Sequence, residues 1–110
     1  MGINEYQDAI QEYKQYQSDI NIFYDLIDIT SSVGDLNKKL NNILINNQEM
    51  TNELSLKLGI SLGDILYAIS NFATDIGLKM EDVALLNLRK INMQKESDLK
   101  KKNNQPIKIE

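Results

Sequence analysis

The sequence predicts an all-α protein: a four-helix bundle built around two long central antiparallel helices and assembled as an oligomer. Three observations carry this. Apolar residues recur at steps of three and four through most of the 110 residues. The single proline, Pro106, lies near the end, so nothing between Ile3 and Lys95 forbids helix. Turn-forming residues, Asn46-Asn47-Gln48 and Gly77, stand where the apolar stripes stop.

The first helix is expected from about Asn4, a good N-cap, to Gln17, with Tyr6, Ile10 and Tyr13 on one face. Ser18 and Asp19 prefer caps to helix interiors and mark a break. The second helix is expected from about Ile20 to Ile45. Its stripe is Leu26, Ile29, Val33, Leu36, Leu40 and Ile43. The third is expected from about Thr51 to Ile76, with Leu58, Leu62, Ile65, Ile69, Phe72 and Ile76 in line, and Gly77 as the residue that stops it. Gly59 and Gly63 each cost about 1 kcal/mol against alanine inside a helix. They imply either the close approach of another helix or ligand, or a local kink. The fourth is expected from about Met80 to Glu96. Glu81 and Asp82 suit its positive N-terminal end, and Val83 or Ala84, Leu88 and Ile91 form its buried side. Residues 1–96 thus form one domain, and 97–110 a flexible basic and polar tail.

Composition narrows the chemistry. Without histidine or cysteine there are no disulfides, thiolate nucleophiles, zinc fingers or imidazole acid–base steps. Any metal would be a hard ion held by carboxylates. A formal charge of −4 speaks against broad nucleic-acid binding. No apolar run approaches the roughly 20 residues of a membrane span, and the N-terminus lacks the pattern of a signal peptide. A cytoplasmic protein is expected. Two helices near 25 residues, about 38 Å long, are too long for so small a chain to cover, which points to a homodimer or homotetramer.

A polar stripe accompanies each apolar one: Asp25, Asp28, Ser32, Asp35, Lys39 and Asn42 on the second helix, and Ser61, Asp64, Ala68 and Asn71 on the third. Carboxylates at such spacing on facing helices can hold Mg²⁺. The same pattern also describes the solvent-facing side of an amphipathic helix, which spacing alone favours.

Five segments carry a family resemblance. Ser31 to Leu40 (SSVGDLNKKL) resembles the helix of MazG-like nucleoside triphosphate pyrophosphohydrolases that reads Gly-Glu-x-Gly-Glu-Val-x-Glu. Ser61 to Ile69 (SLGDILYAI) is similar to that family's Glu-Leu-Gly-Asp helix, and Ile76 to Val83 and Asn87 to Lys90 also fit. The opening Ile3-Asn4-Glu5-Tyr6-Gln7 is similar to the phage-type variant. The resemblance covers roughly Ile3 to Lys95. It implies an all-α oligomeric bundle whose acidic motifs hold Mg²⁺ while water attacks an NTP to release pyrophosphate.

Position by position, the resemblance puts Ser32, Asp35 and Lys38 where the first motif has acids. It puts Ser61 and Asp64 on the second motif, and Asn87 and Lys90 beside the phosphates. Two carboxylates remain, Asp35 and Asp64, and a lysine replaces a third. Metal would be held weakly by these two, with or without Asp28, so no cofactor is required and Mg²⁺ enters only if hydrolysis persists. Ser32 and Ser61 can donate to phosphate oxygens, and Lys38 can meet a phosphate without a bridging metal. The resemblance therefore implies a catalytically degenerate protein that binds a nucleotide or nucleotide-derived signal, such as a phage protein sequestering a host defence signal. Two alternatives stand beside it: an active Mg²⁺-dependent pyrophosphohydrolase with a rearranged site, and a ligand-free helical interaction module.

Overall fold

The computed structural model describes residues 1–14 and 21–104, with side-chain surroundings through residue 102. It is helical, with no strand among the described residues. The elements are α1 (Ile3–Ile10), a short 3₁₀ turn (Gln11–Tyr13), α2 (Asn21–Ile45), α3 (Asn52–Asp75) and α4 (Met80–Asn104). None of these helices is long and apolar enough to cross a membrane. Contacts divide the chain into two units, Met1–Met80 and Glu81–Glu110.

In the first unit, local chemistry sets the helix ends. Thr51 caps α3, its hydroxyl accepting from the Leu54 amide at 3.2 Å. Both long helices stop in the same way. Past α2, Asn47 turns left-handed (φ 50°), and the amides of Asn47 and Gln48 return to the carbonyls of Leu44 and Ile43. Past α3, Gly77 does so (φ 80°), and the amides of Gly77 and Leu78 return to Thr74 and Ala73. The N-cap expected at Asn4 is instead Gly2, which places Asn4 in the first turn of α1. The α-helical part of α1 also ends earlier than expected, at Ile10, tightening into the 3₁₀ turn. The expected break at Ser18-Asp19 lies outside the described residues.

α2 and α3 form an antiparallel hairpin. Lys39 Nζ donates to Ser61 Oγ at 2.5 Å, and the carboxyl of Asp25 meets that of Asp75. In both pairs the residue numbers add to 100, so one register holds along the seam. Its layers recur every seven residues: Asp25 with Asp75, Ser32 with Ala68, and Lys39 with Ser61. Asp25, Ser61 and Ala68 are each 2% exposed.

α1 packs on α3 through Gln7. This buried amide donates from Nε2 to Thr74 Oγ1 (3.0 Å) and to the Leu78 carbonyl (2.8 Å), and its Oε1 accepts from the Met80 amide at 2.8 Å. That last bond satisfies an amide which the start of a helix leaves without a partner. Gln11 Nε2 also reaches Thr74 Oγ1, and Tyr67 Oη donates to the Tyr13 carbonyl.

The interior of the first unit is notably polar. Among the described residues its buried apolar side chains are Ile10, Ala68, Ala73 and Met80, while Gln7, Asp25, Ser61, Ser70 and Asn71 are buried polar ones. The apolar stripes are only partly covered, with Leu26, Val33, Leu40, Leu62, Ile69 and Ile76 exposed. Among the described residues nothing from outside their own helix turn lies within 4 Å of where a side chain would begin on Gly59 or Gly63.

The second unit is the body of α4. The helix continues to Asn104, past the end expected at Glu96, because Leu99 and Lys100 to Lys102 are good helix formers and lysines suit the negative C-terminal end. Leu88 and Ile91, expected to be buried, are 56% and 52% exposed; Val83 is half-buried.

Replacing Gln7 by alanine strands Thr74, Leu78 and the Met80 amide at once. The expected loss is about 1–3 kcal/mol of stability, readable as a lower urea midpoint at unchanged slope. A midpoint equal to wild type would show that the amide bears no load.

Candidate functional site

Three residues past each seam position the helix has turned by about −60°. Because α2 and α3 run in opposite directions, these positions emerge on the same side of the hairpin. On α2 they are Asp28, Asp35 and Asn42, and on α3 they are Asp64 and Asn71, with Lys57 on the same stripe seven residues before Asp64. The register sets Asp28 level with Asn71, Asp35 with Asp64, and Asn42 with Lys57. One side of the hairpin is therefore a polar edge. α1 approaches the same side: Tyr6 is raised above the ordinary phenol range by burial first, and then by Tyr67 and the charge of Asp64.

This geometry brings together part of the expected set. Asp35 and Asp64 share one level of the polar edge, both exposed, and Lys38 is exposed on α2. Ser32 is half-buried in the seam opposite Ala68. Ser61 is buried, and the ammonium that reaches it comes from Lys39 rather than Lys38. Asn87 and Lys90 are exposed on α4, in the second unit. Asp28 stands seven residues from Asp35, about 10.5 Å along the helix, too far for both to ligate one ion at about 2.0–2.6 Å. No group of three acidic side chains converges to hold a metal among the described residues. Asp35 and Asp64 alone fit Mg²⁺ only if substrate phosphates complete its shell.

The polar edge ends in a cleft of about 260 Å³ near the connection between α2 and α3. Ile43, Leu54, Leu58 and Ile60 line its apolar part, and Lys39, Asn42, Gln48 and Lys57 its polar part. Lys57 also meets Glu53 at 3.8 Å on the surface. Cations and amides thus stand beside an apolar wall.

A second polar cluster lies at the other end of the seam, where Lys14 forms an ion pair with Asp75, and Asp75 meets Asp25. Asp25 Oδ2 and Asp75 Oδ2 are both buried without a donor. A proton kept on Asp25 supplies the donor for the hydrogen bond between the two carboxyls. Burial is the largest influence on Asp25, followed by its hydrogen bond to Asp75 and the charge there; against the opposing pull of Lys14, they push it up to about 7. Burial alone would raise Asp75 too. Hydrogen bonds from Asp25, Lys14 and Asn21 outweigh that and hold it below the usual carboxylate range. Asp25 belongs to the polar stripe visible in the sequence. Asp75 continues the α3 stripe one turn beyond Asn71, a signal that the stripe ending at Asn71 overlooks. Nothing in the sequence marks Lys14.

No family model, no curated protein and no solved structure matches this chain.

The carboxyl pair has a defined pH signature. Unfolded Asp25 loses its proton near 3.8, and folded Asp25 keeps it to about 7. Between these values the unfolded state binds fewer protons, so stability falls as pH rises, by up to roughly 1.4 kcal/mol per unit. Asp75 contributes oppositely, losing its stabilisation below pH 4 as it protonates. Urea midpoints are expected to fall from pH 5 to pH 7 and level off above. Asp25→Asn, which keeps a donor toward Asp75, is expected to flatten that slope; an unchanged slope would rule out the proton on Asp25.

Proposed function

We propose that the polar edge and its terminal cleft bind a nucleotide or nucleotide-derived molecule directly, without a metal and without hydrolysing it. The observation that carries this reading is the Lys39–Ser61 pair. An ammonium is fixed at 2.5 Å from a buried hydroxyl, at the position where the resemblance to MazG-like enzymes would put a metal-binding carboxylate. A fixed cation repels a divalent metal and attracts a phosphate. In the cleft, Lys39 and Lys57 suit an anionic group, and Leu54 and Leu58 suit a flat apolar base. Asn42 and Gln48 supply hydrogen bonds for orientation. With two carboxylates left at the Asp35–Asp64 level, nothing there orients an attacking water.

In this reading the protein is a degenerate MazG-like binder, and sequestration of a signalling nucleotide, as a phage protein would do against host defence, is its concrete role. Oligomeric assembly in the cytoplasm belongs to the same reading, and nucleic acid is not a ligand. The apolar side chains left exposed on the hairpin favour a second reading, a helical interaction module with no small ligand.

Calorimetry against a panel of mono-, di- and cyclic nucleotides in EDTA separates the two. At least one nucleotide is expected to bind without metal, and Lys39→Met to weaken it at least tenfold. Binding that requires Mg²⁺, or no binding to any member, would overturn the proposal.

A further inference from the structure

The cleft is two-sided. Asn42 and Lys57 belong to the polar edge, and Ile43 and Leu58, one residue further along each helix, turn away from it by about 100°. A base resting on the apolar side places its phosphate at Lys39 and Lys57. Anything beyond that phosphate has to leave the cleft, because its volume of about 260 Å³ lies below the roughly 300–1,000 Å³ of sites that enclose a drug-sized molecule.

Both ways out along the polar edge meet carboxylates. Toward the middle of the hairpin, Asp35 precedes Lys39 by four residues, about 6 Å along α2, and the register sets Asp64 level with it. Toward the connection, Glu53 stands 3.8 Å from Lys57 Nζ, and Glu49 lines the recess beside it. On the opposite side of the hairpin the exposed side chains next to the Lys39–Ser61 pair are Leu40 and Leu62, which offer a phosphate no donor. Lys38, the other lysine of α2, lines no part of the cleft. The surroundings add to this. Met1–Met80 carry 11 acidic and five basic residues, so away from the two lysines the field of this unit repels anions.

We infer that the cleft selects a nucleotide with a single phosphate group, linear or cyclic, and that Asp35 and Asp64 reject longer phosphate chains. The inference rests on the direct binding proposed above and names its ligand class. One phosphate group carries at most about two negative charges near neutral pH, which Lys39 and Lys57 match. A second or third phosphate carries its charge past the lysines to the level of Asp35 and Asp64, where like charges meet with no cation between them. Specificity is often built from such a repulsive element against the wrong ligand. The two carboxylates then have a role that needs no metal. They exclude the triphosphate that the resemblance to MazG-like enzymes would have them hold.

The test is calorimetry in EDTA on the full chain, with the linear monophosphate, cyclic monophosphate, diphosphate and triphosphate of adenosine, guanosine, cytidine and uridine. At least one monophosphate is expected to bind roughly tenfold or more tightly than the triphosphate of the same base. Asp35→Asn combined with Asp64→Asn keeps the shape of both side chains and is expected to remove most of that preference. Asp82→Asn combined with Asp98→Asn takes the same charge from α4 and is expected to leave the preference intact. In the wild-type chain, lowering the salt from about 0.1 M to about 0.01 M lengthens the screening distance from about 10 to about 30 Å. That change is expected to widen the preference, which tests the repulsion without any substitution. A di- or triphosphate that binds more tightly than every monophosphate overturns the inference and leaves direct nucleotide binding standing. So does a preference that the Asp35 and Asp64 substitutions do not move, or that the α4 substitutions reduce as much. Absence of binding by every nucleotide overturns both.

Discussion

The register between α2 and α3 is the constraint on which the rest depends. Once Asp25 faces Asp75 and Lys39 faces Ser61, every other position on the hairpin is assigned to the seam, the polar edge or the apolar side by its distance in sequence from those residues. A shift of one residue turns a helix by about 100° and would undo both pairs, putting Leu26 and Leu40, or Tyr24 and Lys38, in place of Asp25 and Lys39. The two ends of the seam lock this register with polar pairs, which have stricter geometry than apolar contacts. Such pairs specify alignment at a cost in stability. The small Ser32 and Ala68 between them let the helices approach.

A polar seam cannot supply the free energy that a core of leucines would. Few apolar side chains are buried within the first unit, and the larger apolar surface lies outside the hairpin. The division is physically consistent: polar contacts within the chain fix which residues align, and much of the apolar stripe stays exposed on the outside of the hairpin. The cleft at the end of the hairpin straddles the seam, with Lys39, Asn42 and Lys57 beside Ile43 and Leu58.

Much of the architecture was legible in the sequence. The stripes on α2 and α3, Gly77 as the stop of α3 and the Asn46-Asn47-Gln48 turn all follow from spacing and backbone preference. Periodicity reports the angle between faces of a helix, but it does not report what covers each face. For that reason Leu26, Val33 and Leu40 read as interior, whereas the chain itself buries Asp25 and half-buries Ser32 one residue earlier. Leu88 and Ile91 on α4 show the same ambiguity. The cap at Gly2 was hidden because a glycine cap acts through its backbone and Asn4 offers a more visible side chain. At the candidate site, Asp35 and Asp64 were legible as one level of the hairpin. Lys39 was legible too, since the polar stripe sets it on one face with Asp25, Ser32 and Asn42; the family resemblance is what pointed to Lys38 instead, about 100° away on the helix. The Asp25–Asp75–Lys14 cluster needed a tertiary contact from outside the hairpin.

The register itself can be read directly, because the chain has no native cysteine. Ser32→Cys combined with Ala68→Cys places two thiols across the seam, and a disulfide forms only where the Cα atoms come within about 7 Å. Mild oxidation is expected to close this pair within one chain, while Ser32→Cys with Asp64→Cys or with Phe72→Cys, each displaced by about one turn, stays reduced. Efficient closure of a displaced pair, with the Ser32–Ala68 pair left open, would contradict the register and the three-sided hairpin built on it.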